Sequence, residues 1–125
     1  MQFDAVRLDG DDGRRIADCL EQMTNGDPGP IVAEANGRRG TYFLLPAGST
    51  VRDRWPDGTV RFNAEQGAES YVPVPALQGR TWPLSWRCAP SEPGRFVHPL
   101  LLRSAIVNVL VVMPAVEAVS RGHLP

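Results

Sequence analysis

"GPIVAEANGRRGTYFLLPAGS", residues 29–49, decides how this chain folds. Asn36-Gly37 accepts the positive φ angles of a tight turn, and apolar runs flank it on both sides. "PIVAEA" and "GTYFLLP" are therefore predicted as the two strands of a β-hairpin, with the glycines serving the turn first of all. Arg38 and Arg39 stand beside that turn, where guanidinium forks can grip a phosphate in two-pronged fashion. The stretch contains no histidine.

Upstream, "FDAVRL" (residues 3–8) is short, apolar and bounded by "DGDDG", and it reads as a first strand. Phe3 is out of phase with Val6 and Leu8, so the alternation is imperfect. Asp11 or Asp12 is expected to cap a following helix, because a side-chain oxygen there accepts from free first-turn amides. Ile16, Cys19, Leu20 and Met23 form its apolar stripe, and Asn25-Gly26 ends it.

Downstream of a polar loop, "AGSTVRDRWPDG", short strands are expected at "TVRF", "SYVPVP" and "LSWRCAP". Pro73 and Pro75 lack the N–H of a central ladder, so that strand is an edge or ends there. Leu100 to about Met113 is predicted as a helix behind Pro99, whose fixed φ suits a first turn. Residues 106–112, "IVNVLVV", would equally suit a strand; helix is preferred because the apolar run is long. Residues 114–125 are expected to form a frayed or lightly helical tail.

With 125 residues the chain fits one domain that can bury a core without disulfides or a structural metal. Twelve glycines and twelve prolines predict short elements and long loops. The fold class is α+β, with a mixed or antiparallel sheet. Every basic residue is arginine, yet the net charge of −1 leaves no global field for DNA or an anionic membrane. Cys19 and Cys88 have no metal-motif spacing; with no signal peptide they point to a reducing cytoplasm. The most apolar segment, "SAIVNVLVVMPAV", falls short of the roughly 20 residues of a membrane span and carries Asn108 and Pro114. No membrane anchor is expected.

Trp55, among Arg52, Arg54 and Arg61, offers an aromatic surface beside basic groups, the combination that stacks a base and neutralises its backbone. Asp53 and Asp57 interleave with those arginines and cancel much of their charge. Trp82 and Trp86 are expected to cover one end of the core, and His98 to be a hydrogen-bonded structural residue. Ser49, Ser70 and Ser85 lack a nucleophile motif, and no glycine run forms a phosphate loop. Hydrolase, kinase and dehydrogenase readings find no support.

"FDAVRL", "GPIVAEANGRRGTYFLLPAGS", "ESYVPVPAL" and "LSWRCAPSEPGRFVHPLLLRSAI" span most of residues 3–106. In that order they resemble the amino-terminal domain of bifunctional DNA primase/polymerases, in the short form common in actinobacteria. The resemblance implies an archaeo-eukaryotic primase-type domain. Its active members hold two divalent metals on an Asp-x-Asp pair after the first strand, and a histidine before the "YF" strand contacts the nucleotide's phosphates. Here Gly40 takes the histidine's place, and the acidic pair could only be Asp9 and Asp11. Two-metal chemistry needs several carboxylates converging so that the ions sit about 3.5–4 Å apart. A third would have to come from elsewhere, such as Glu34 or Glu65. Aspartate in a glycine-flanked turn more commonly caps a helix or closes the turn.

The expectation is thus a non-catalytic binding or regulatory module without a cofactor, taking a nucleotide, a nucleic acid or a protein. Its candidate ligand-binding residues are Arg38, Arg39, Tyr42, Trp55 and Arg61. One alternative is a minimal enzyme holding Mg or Mn at Asp9 and Asp11 for nucleotidyl transfer or phosphate hydrolysis. Another is a structural homo-oligomer paired through the edge at "SYVPVP" or the apolar carboxy-terminal segment.

Overall fold

In the computed structural model, residues 3–52, 54–56, 58–63, 84–92 and 94–120 are described. β1 (Phe3–Leu8) leads into α1 (Gly10–Met23), followed by β2 (Ile31–Glu34), β3 (Thr41–Pro46) and the single turn α2 (Ser49–Arg52). β4 (Val60–Phe62) and β5 (Leu84–Cys88) complete the sheet. The carboxy-terminal helix comprises α3 (Pro99–Val107), a π-helical segment (Asn108–Val112) and α4 (Met113–Ser120). The strand order is β4-β1-β3-β2-β5, and each pairing is antiparallel. This is an α+β domain with a helix after the first strand and a carboxy-terminal helix. The strand expected at "SYVPVP", with Glu65, Ser70 and Trp82, lies outside the described residues.

Both faces of the sheet are covered, which explains why β1 and β3 do not alternate cleanly in sequence. Val6, Leu8, Ile31, Phe43 and Leu45 pack under the helices with Ile16, Leu20, Leu102 and Ile106. Ala5, Val32, Tyr42 and Leu44 form a second cluster on the other face, with Phe3, Phe62, Trp86 and Phe96 against it. Phe3 is therefore in phase after all, with the second face. Asp4 points to the helical face and is buried; its Oδ2 accepts from the Thr50 amide at 2.9 Å and the Thr50 hydroxyl at 2.8 Å.

The hairpin forms, but its connection is six residues long, and positive φ falls on Gly37 (60°) and Arg39 (52°) rather than on Asn36. α1 also departs from expectation at its start. Asp9, not Asp11 or Asp12, occupies the N-cap position, and its carboxylate makes no capping bond. Asp11 and Asp12 lie in the first turn, where their charge still favours the positive end of the helix dipole. The buried stripe is Gly13, Ile16, Ala17 and Leu20; Cys19 is half-buried and Met23 exposed. Asn25 and Gly26 end the helix as expected, both at positive φ, with the Gly26 amide donating to Glu21 O at 2.7 Å.

β5 is tied to α1 by Arg87, which bonds Glu21 at 2.8 Å and also pairs with Asp18. That bond holds the Glu21 carboxyl below its ordinary value, outweighing the opposing effect of burial. Burial first, then the Glu21 carboxylate, pushes the Cys88 thiol up to about 11, so it stays protonated at neutral pH. A depressed acid stabilises the fold above its ordinary value and loses that contribution as pH falls through its folded value. Stability should therefore decline as pH drops below the ordinary carboxylate value of 4.5. Arg87→Ala should cost about 1 kcal/mol at pH 7 and flatten that decline, as read by urea melts across pH 3–7.

Residues 106–112 are helical. His98 caps α3, its Nδ1 accepting from the Leu100 amide at 3.2 Å, and Pro99 occupies the first turn. Pro114 does not break the helix. A proline in a helix lacks the N–H for the fourth residue back and crowds that carbonyl. The chain accommodates this by widening into i→i+5 bonding just before it, with the Met113 amide donating to Asn108 O. The 21 residues Pro99–Val119 are consequently long and apolar enough to cross a membrane by length and composition, which corrects the shorter estimate from the sequence. Leu102, Ala105, Ile106 and Val109 of this helix are nevertheless buried in the domain core.

Candidate functional site

The hairpin tip docks on the start of α1. The Gly10 amide donates to Arg38 O at 3.1 Å and Arg39 O at 3.3 Å, so backbone carbonyls satisfy one of the free amides at this helix end. The register pairs Arg7 with Tyr42 and Leu8 with Thr41, and the chain beyond each strand brings Asp9 alongside Gly40. Arg7, Asp9 and Arg38 thus meet at one corner of the sheet.

Arg7 Nε lies 3.2 Å from Asp9 Oδ1, and Arg38 Nη1 lies 4.0 Å from Asp9 Oδ2. The Arg7–Asp9 contact is an ion pair without aligned hydrogen-bond geometry, and among the described residues neither facing atom has a hydrogen-bond partner. The Arg7 guanidinium also sits 6.0 Å from the Tyr42 ring centre and 5.8 Å from that of Phe62. Both rings present π-density to the cation, which fixes its position. A Cβ at Gly40 would lie 3.0 Å from Arg7 Cδ and 3.4 Å from Asp9 Oδ1. Gly40 therefore faces an arginine–aspartate pair.

Arg38 and Arg39 are exposed at the rim of this corner, with the Arg38 side chain 79% accessible. Tyr42 belongs to it as well, but is buried, with its ring facing the Arg7 guanidinium. Trp55 does not join them. Its side chain is largely buried in the helical-face core, with Nε1 donating to Ser49 O at 3.3 Å, and its remaining surface lines a separate groove with Arg54 and Arg103. Arg61 is exposed on β4 opposite Val6, on the other face of the sheet from Arg7. Asp11 pairs with Arg14 instead of with Asp9. Among the described residues no three His, Cys, Asp or Glu side chains converge on one point.

Arg7 and Phe62 belong to the site although the sequence reading passed over them. The signal for Arg7 was available: with Asp4, it is one of two charges in an otherwise apolar strand. His98, by contrast, is the hydrogen-bonded structural residue expected. Comparison with protein-family models, curated proteins and solved structures returned no match.

Proposed function

We propose that the chain is a non-catalytic, primase/polymerase-like binding module of the cytoplasm, taking a nucleotide or a phosphorylated nucleic-acid end at the hairpin corner. The observation that carries this reading is the pairing of Asp9 with Arg7 and Arg38. A divalent ion would have to displace two guanidinium groups to reach that carboxylate, whereas a phosphate finds the outward-facing arginines already placed. The order of strand, helix and hairpin, with β3 beside β1, supports the primase-like affiliation. Two free thiols agree with a reducing compartment.

Fluorescence anisotropy of a short 5′-phosphorylated oligonucleotide tests the reading. Binding should weaken with salt, and Arg38→Ala and Arg39→Ala should each lower affinity about tenfold, the loss of one charge-assisted contact. Nucleotide incorporation in manganese that disappears on Asp9→Asn would replace this module with an enzyme.

A further inference from the structure

Among the described residues, neither Arg54 nor Arg103 pairs with a carboxylate. Both line a groove of about 1000 Å³, with Leu100, Val107 and Val112 along the carboxy-terminal helix and Trp55 across from them. No Asp or Glu lines it among the described residues, so two positive charges share an otherwise largely aliphatic trough. Arg103 Nε is buried without an acceptor. Part of that guanidinium has therefore given up water and gained no bond, a cost that an anion beside it would offset. The apolar part of the groove follows Arg103 along the helix. Val107 lies one turn beyond it, and the π-helical segment, with more residues per turn, brings Val112 round to the same groove. From Arg103 to Val112 is about 13 Å at helical rise. Trp55 is 8% exposed, so the surface offered to a ligand is mainly aliphatic.

We propose that this groove binds the anion of a free fatty acid, its carboxylate held by Arg103 and Arg54 and its hydrocarbon chain laid along Val107 and Val112. A guanidinium fork gives a carboxylate two parallel N–H bonds, and Ser104, exposed in the same groove, adds a hydroxyl donor. The aliphatic wall suits an alkyl chain better than a planar base, which needs an open aromatic face on which to stack. Beyond Val112 the helix stays exposed and apolar through Val119 except at Glu117, so a chain longer than the groove still meets apolar surface. The trough is open on one side, which leaves the alkyl chain half in water and keeps the affinity modest. This site is separate from the hairpin corner. The groove belongs to the helical side of the sheet, whereas Arg7 sits against Tyr42 and Phe62 on the other.

Calorimetric titration of the full chain with decanoate, kept below micelle formation, should show one-to-one binding with Kd on the order of 100 µM. Dodecanoate should bind tighter by about twofold for each half-buried methylene it adds. Decanol, which keeps the chain and lacks the charge, should bind about tenfold more weakly than decanoate. Arg103→Gln and the exposed Arg54→Gln should each weaken decanoate binding about tenfold, and so should Val112→Asp, which sets a like charge beside the chain. Combining Arg38→Ala with Arg39→Ala should leave it unchanged, so this site and the hairpin corner can fail separately. No saturable binding, decanol equal to decanoate, or indifference to both arginine variants would each overturn the proposal. So would a chain that ignores monomeric decanoate yet binds phosphatidylglycerol vesicles, which would assign the groove to a membrane surface.

Discussion

Replacing Gly29 by alanine should destabilise the protein by about 3 kcal/mol, which for a domain of this size lowers Tm by roughly 10 °C. The cause is a missing donor elsewhere. The Leu44 amide donates to Pro30 O at 3.2 Å, but Pro30 has no N–H to return the bond. The Val97 amide fills that place, donating to Leu44 O at 2.8 Å, and it reaches there by passing directly over Gly29. A Cβ at residue 29 would lie 2.8 Å from Val97 N and 2.9 Å from the Phe96 carbonyl. Backbone cannot swing aside as a side chain can, and the φ of +103° adds strain of its own. Gly26 separates the two effects: it has φ +86° but open space at its Cβ, so Gly26→Ala should cost only about 1 kcal/mol. Equal losses in thermal melts of the two variants would refute the close-approach explanation.

Asp4→Ala should cost about 3 kcal/mol, because two donors are left buried without an acceptor. Both come from Thr50, whose amide and hydroxyl bond the same carboxylate oxygen. Asn63 extends the set, donating from Nδ2 to the Thr50 hydroxyl oxygen at 2.8 Å. The network fastens α2 to β1, and through Ser49 it also bears on Trp55. Asp4→Asn keeps an acceptor and loses the charge, so about half the effect should return. Denaturant titration of both variants, alone and combined with Thr50→Ala, would show strong non-additivity if the pair carries the energy. Additive losses would place it elsewhere.

These effects differ in how far they were legible. The hairpin, α1 and the carboxy-terminal helix could be read because their signals are local: a turn dipeptide, a helical stripe, a proline at a first turn. The failed alternation in "FDAVRL" was itself a signal that both faces of the sheet are covered, with Asp4 turned to one core and Phe3 to the other. The role of Gly29 was hidden because its cause, the Pro30–Leu44–Val97 arrangement, joins residues far apart in sequence. The burial of Trp55 was hidden for the same reason, since its arginine neighbours along the chain say nothing of the core its ring enters. At the corner, Arg38 and Asp9 could be singled out, but not their meeting, which depends on the hairpin tip docking on α1. The helix expected to about Met113, with a frayed or lightly helical tail, continues through Pro114 to Ser120, because the proline is absorbed by wider bonding one turn earlier.

The central claim is that Arg38 and Arg39 at the hairpin corner meet phosphate directly and that Asp9 is committed to arginine. A calorimetric titration of the full chain with a nucleoside triphosphate, run once in EDTA and once in manganese, tests it most directly. Binding of similar affinity is expected in both, abolished by combining Arg38→Ala with Arg39→Ala and retained in Asp9→Asn. Binding that appears only with manganese and vanishes in Asp9→Asn would contradict it.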